Sequence, residues 1–180
     1  MSSSAATTRE VAVPVSVFEA LRSELEKDAG TLSTVRAMHH AGYEAGLVAA
    51  AGVNREAGGD AFALSTAGFW GHLSAYFEKR GWGSLTHRAA HPAVAILSSR
   101  DWAEAAPDSP SPEGACSFSA GFLSGLLSQL AGGAIAVLEV ECRSRGDQAC
   151  SFAFGSETAI HDLYGQMLEE ADLERALQAL

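Results

Sequence analysis

Basic residues are scarce in this chain of 180 residues: 12 Lys and Arg stand against 22 Asp and Glu, a formal net charge of −10. Neutralising phosphates takes clustered Lys and Arg, and the one local basic cluster, Arg143 with Arg145, has Asp147 beside it. Neither nucleic acid nor an anionic membrane is expected as a partner. Long apolar runs are missing too, since the longest, 47–53 and 134–140, fall far short of the roughly 20 residues that span a bilayer. No basic start followed by an apolar stretch opens the chain, so residues 1–12 read as a disordered polar tail rather than an export signal, and the expected location is cytoplasmic. Catalytic signatures are absent: there is no G-x-S-x-G elbow, Walker loop, H-E-x-x-H or dinucleotide fingerprint. No catalytic residue is assigned, and an enzyme is the less favoured reading. Cysteine is limited to three. An odd set in a reducing compartment suits metal binding or buried thiols better than a disulfide framework.

What is present is globular. Hydrophobic residues make up 47% of the chain and 18 glycines are spread through it, enough for one domain over 13–180. Apolar periodicity predicts a helix over 14–27, with Ser16 as its cap, and a second from 32 to about 51. A third is capped by Asp60 and broken by Gly81-Trp82-Gly83. Strands are predicted over 84–90 and 93–99, with His91-Pro92 in the turn between them. Residues 104–114 hold three prolines and no large apolar side chain, which predicts a surface loop. A helix over 115–131, strands over 134–143 and 149–154 around a turn at Gly146, and a final helix over 157–179 complete the series. The segments A-G-Y-E-A-G (41–46) and A-G-F-L-S-G (120–125) echo each other. Glycines four apart on a helix leave a flat stripe for close packing, at a cost of about 1 kcal/mol per Gly relative to Ala that the contact must offset.

The densest information lies in the cysteines. With a turn centred on Gly146, Cys142 and Cys150 are symmetric and face each other. Cys116 falls at a predicted helix start, where a thiolate is favoured. Two thiols so placed can share a metal, form a disulfide or sit buried. Three thiolates and one carboxylate would complete a structural zinc site. Alternation along a straight strand puts Glu139 and Cys142 on opposite faces, so both reach one ion only across a bulge or a strong twist. Glu141 is the alternative carboxylate, and it too alternates away from Cys142.

The segment E-V-E-C-R-S-R-G-D-Q-A-C-S-F (139–152) resembles the signature of 4-vinyl-reductase domains, which also form the sensory part of phenol- and xylene-responsive bacterial activators. C-S-F-S-A-G-F-L-S-G (116–125) is similar to the family segment that opens with a cysteine and carries G-[YF]-x-x-G. The resemblance covers 116–155 most fully and 32–100 more weakly. It implies a structural Zn2+ on Cys116, Glu139, Cys142 and Cys150. It also implies an α+β fold, an antiparallel sheet packed with helices, shared with transport-particle (TRAPP) subunits of the Bet type and with nitric-oxide sensors, and often enclosing an apolar cavity. Homodimerisation is implied as well, and the final amphipathic helix and small-residue helix faces suit it.

Tyr43, Phe69, Trp70, His72, Trp82, Trp102 and Phe122 are candidate lining for such a cavity, with His72 as a donor to a ligand hydroxyl. Aromatics at helical spacing are more often plain core, and a lone His on such a face is more often a satisfied boundary residue. His39 and His40, about 100° apart on one helix, cannot both face inward, and no haem-pocket pattern surrounds them. His87 and His91 are expected to be exposed. The reading that follows is a zinc-stabilised sensor or binding module for hydrophobic or aromatic small molecules. Because the chain ends about 25 residues after the hairpin, it is expected to signal through a protein partner by contact. The alternatives are a tetrapyrrole carrier or auxiliary protein of (bacterio)chlorophyll 4-vinyl reduction, and a TRAPP-like structural adaptor.

Overall fold

A computed structural model describes residues 10–106, 111, 114–170 and 172–180. Residues 1–9 of the expected tail, 107–110 and 112–113 of the expected loop, and Ala171 of the expected final helix lie outside them. Residues 10–12, also read as tail, are described.

The fold is mixed, with a four-stranded antiparallel sheet in the order β1-β2-β4-β3 and helices on both faces. The strands are β1 (Thr86–His91), β2 (Val94–Ser99), β3 (Ala136–Glu141) and β4 (Cys150–Gly155). Alternation in β2 and β4 sorts side chains to two sides. Leu97, Cys150 and Phe152 join the larger core under helices α2 (Thr31–Glu56), α3 (Thr66–Glu78) and α4 (Ser117–Ala131). Val94, Ile96 and Ala153 face α5 (Glu157–Glu169) and α6 (Leu173–Gln178), where Ile160, Leu163 and Leu177 are buried against them.

The glycine stripes explain how α2 and α4 meet. A Cβ on Gly42 or Gly46 would lie 2.0 and 2.1 Å from the carbonyl oxygens of Phe118 and Phe122, and one on Gly121 or Gly125 would lie 1.9 and 2.1 Å from those of His39 and Tyr43. The two backbones touch reciprocally, and Cα–H groups replace side chains as the contact surface. These faces are therefore used within the chain and supply no surface for a second copy, contrary to the expectation that they would serve a dimer.

Several element boundaries differ from the periodicity. Helix α2 runs on to Glu56, past Gly52, which is accommodated because its vacant Cβ position faces the Tyr76 ring edge. Ser16 is the first residue of α1 (Ser16–Ala29), not its cap, and no side chain caps that helix. Asp60 caps a short 3-10 turn, Ala61–Ala63, whereas Ser65 caps α3. The expected last helix is two, and Asp172 caps the second by accepting from the Arg175 N–H at 3.1 Å.

Candidate functional site

The knuckle between β3 and β4 gathers the cysteines. Glu139 pairs with Phe152 but Glu141 pairs with Ser151, so β3 advances two residues while β4 advances one. This bulge at Val140 reverses the alternation, putting Glu139 and Cys142 on the same side of the sheet although they are three apart. A 3-10 turn, Arg143–Arg145, then delivers the chain to Gly146 in the left-handed region at φ 101°. Main-chain N–H groups of Ser144 and Arg143 point at the sulfurs of Cys142 and Cys150. Asp147 braces the turn, accepting from the Cys142 N–H at 2.7 Å and from the Arg145 guanidinium at 2.9 Å.

Cys116 enters from the other direction as the residue before α4. All three cysteines are fully buried and free. Cys116 Sγ lies 4.0 Å from Cys142 Sγ and 3.7 Å from Cys150 Sγ, and all three sulfurs fall within 4.8 Å of one another. A tetrahedral zinc with Zn–S bonds of about 2.3 Å sets its sulfurs roughly 3.8 Å apart, so this spacing suits a shared ion. Glu139 borders the trio: both carboxylate oxygens accept from the Cys116 N–H at 3.2 Å. Gly114, at φ 84°, makes room for it, since a Cβ there would lie 2.8 Å from Glu139 Oε2. Glu141 points to the other face, accepting from Ser151 Oγ at 2.5 Å.

The protonation pattern shows what the cluster lacks. Hydrogen bonds from Cys116 and Cys150 pull the Cys142 thiol well below the ordinary range. The Cys116 thiol is pushed far up by its bond to Cys142. Cys150 accepts from Cys116, which lowers it, but its bond to Cys142 and burial raise it to about 12. Burial and the neighbouring Cys142 raise Glu139 to about 8. Four acidic groups share a dry space in which only one ionises easily. A divalent cation reverses that order by favouring every anionic form at once.

Sequence reasoning missed the support around this cluster. Glu104, expected on a surface loop, is 3% exposed. Its carboxylate caps α4, accepting from the Phe118 N–H at 3.0 Å, the Ser119 N–H at 2.6 Å and the Ser119 hydroxyl. Burial raises it to about 7. Trp102 Nε1 donates to Ser119 Oγ at 2.7 Å, and Arg22 of α1 donates to the Ala115 carbonyl and sits 3.7 Å from Glu104. Neither Glu104 nor Arg22 lies in any spacing pattern that marks a site.

The aromatic candidates do not form one set. Trp82 and Phe122 line an open groove of about 770 Å³ with Val48, Ala49, Tyr76 and Arg80. Phe18 of α1 and Trp102 pack on Trp82 at 5.3 and 5.6 Å. Phe69 and Trp70 belong elsewhere: Trp70 stacks on His87 at 4.1 Å and contacts Phe154, so His87 is half-buried rather than exposed. His91 is half-buried too. His72 Nε2 lies 2.9 Å from the Val53 carbonyl, and Tyr43 is half-buried on α2, outside the groove lining. Of the adjacent pair, His39 is half-buried and His40 exposed.

A four-stranded antiparallel sheet, a glycine-locked helix pair and a thiol knuckle define the class of domain. Residues 102–156 match the family model of the 4-vinyl-reductase domain, and over that segment the chain belongs to this family. Among solved structures, the phenol-responsive sensory domain of the transcription activator PoxR, with phenol, is similar at 18% identity and a TM-score of 0.70, covering 87% of this chain and 83% of that one. A trafficking protein particle complex subunit 3 from Naegleria fowleri, covalently bound to palmitic acid, is similar at 10% identity and a TM-score of 0.64, covering 78% of this chain and 91% of that one. A vinyl-4-reductase family protein from Methanocaldococcus jannaschii reaches 17% identity and a TM-score of 0.54, covering 81% and 83%. At these identities the likeness is one of fold. No curated protein matches the chain in sequence. Among the described residues, no helix is long and apolar enough to cross a membrane.

Proposed function

We propose that this domain is a sensor of hydrophobic or aromatic small molecules, held in shape by a structural zinc and acting through a protein partner. The observation that carries the reading is the groove walled by Tyr76, Trp82 and Phe122. Its volume, about 770 Å³, falls in the range of small-molecule sites, and such sites are mostly apolar with few polar groups. The fold of a phenol-responsive sensory domain supports the same reading. Zinc would bind Cys116, Cys142 and Cys150 with Glu139 as fourth donor. A closed set of four leaves no position for substrate or activated water, so its role would be structural. The ion would tie the start of α4 to the β3–β4 knuckle.

The test is a thermal-shift screen of the metal-loaded protein against phenol and larger alkylated aromatics, with native mass spectrometry for metal and oligomeric state. Saturable stabilisation that disappears in Trp82→Ala is the expected result. Absence of a response to every apolar compound, with zinc present, would refute a sensing role.

A further inference from the structure

Resting on the groove reading, we infer that Arg80 makes this groove selective for ligands that join an apolar body to a carboxylate, and that Glu10 occupies the carboxylate position when no such ligand is there. Arg80 projects from the end of α3 with its guanidinium carbon 3.6 Å over the Tyr76 ring, so one face of the fork is stacked on a groove wall. Its edge is turned to carboxylates. Nε lies 3.2 and 3.1 Å from the two Glu10 oxygens, Nη2 lies 3.2 Å from Glu10 Oε1, and Nη2 also reaches Glu56 Oε1 at 2.7 Å. A planar fork held this way is matched to a carboxylate rather than to a point charge.

Glu10 is a replaceable occupant. It sits on a stretch without regular structure ahead of α1, and Val11 beside it is 85% exposed, so little apolar burial holds that stretch down. Its carboxylate is about half exposed, and ion pairs of this kind contribute on the order of 0–1 kcal/mol. A ligand carboxylate would make the same bonds to Arg80 and would add an apolar body packed on Trp82, Phe122 and Val48. Charge stays balanced through the exchange. Arg80 and Lys79 face Glu10 and Glu56, and one carboxylate simply takes the place of another.

The experiment is isothermal titration of the metal-loaded full chain with matched probes: 4-propylbenzoate against 4-propylphenol, and decanoate against decanol below its solubility limit. The wild type is expected to prefer each carboxylate to its neutral partner. Arg80→Gln should reduce that preference about tenfold, the usual effect of losing a charged, forked hydrogen bond. Glu10→Gln, at a half-exposed position that does not threaten folding, should raise the preference several-fold by removing the competitor. Neutral probes binding as tightly as the carboxylates, or a preference unmoved by Glu10→Gln, would overturn the inference while leaving the sensor reading in place. Binding of none of the four probes would overturn both.

Discussion

Glu139 and Glu10 are both carboxylates set among functional side chains, yet their surroundings are opposites. Glu139 is buried beside three thiols, with no cationic side chain among the described residues bonded to it, and its carboxyl is raised to about 8. Glu10 is half exposed and gripped by Arg80, which Glu56 also contacts. The knuckle has donors in excess of charge to balance them; the groove has its charges already matched. Shape alone does not separate the two regions. The electrostatic balance does: the first region is complete only with a cation from outside, and the second is complete without one and has a place to exchange an anion.

The sharpest way to break the contrast is at the knuckle. Cys142→Ser or Cys150→Ser should abolish stoichiometric zinc, read by elemental analysis, and lower Tm on the order of 10 °C, because the binding energy of a structural metal is also folding energy. Next comes the frame that both regions share. Gly121→Ala forces a Cβ to 1.9 Å from the His39 carbonyl, and overpacking against backbone should cost about 3 kcal/mol, measurable by chemical denaturation. A pH series sharpens the comparison further. Glu139, at about 8, and Glu104, at about 7, hold protons in the metal-free fold that the unfolded chain releases near the ordinary carboxyl value. Their folded values are raised, so the metal-free protein loses stability as pH climbs through that window. A bound metal displaces the Glu139 and thiol protons and leaves Glu104 unchanged. The gap in Tm between loaded and stripped protein should therefore widen by several degrees from about pH 6 to pH 8. A gap that narrows would contradict zinc on these ligands. The smallest effect is expected from Glu141→Gln, on the far face of the sheet: unchanged metal content and a stability change within about 0.5 kcal/mol.

How much of this is legible in the sequence varies with the kind of signal. The eight-residue spacing of Cys142 and Cys150 around Gly146 fixes a hairpin, and Cys116 does precede α4, because turn chemistry and helix starts leave local marks. The reversal that brings Glu139 to the cysteine side is visible in the sequence only as a requirement. A bulge at Val140 depends on how β4 pairs, and no residue in E-V-E-C announces it. Glu104 is hidden among prolines in a stretch that reads as surface, whereas its burial follows from the position of α4. The aromatic set divides because helical spacing marks an inward face without saying which neighbour that face meets. Trp70 meets His87 and Phe154 of the sheet, and Trp82 lies outside any helix beside Phe18.

The contact between α2 and α4 has a mechanical consequence. Where side chains interdigitate, small displacements are absorbed by rotamer changes, but at Gly42, Gly46, Gly121 and Gly125 no side chain is available to yield. Phe122 offers its ring to the groove while its main chain abuts Gly42 and Gly46. Whatever shifts that backbone must carry the neighbouring helix along, as one gear tooth carries the next, and the far end of the driven pair is the turn that bears Cys116.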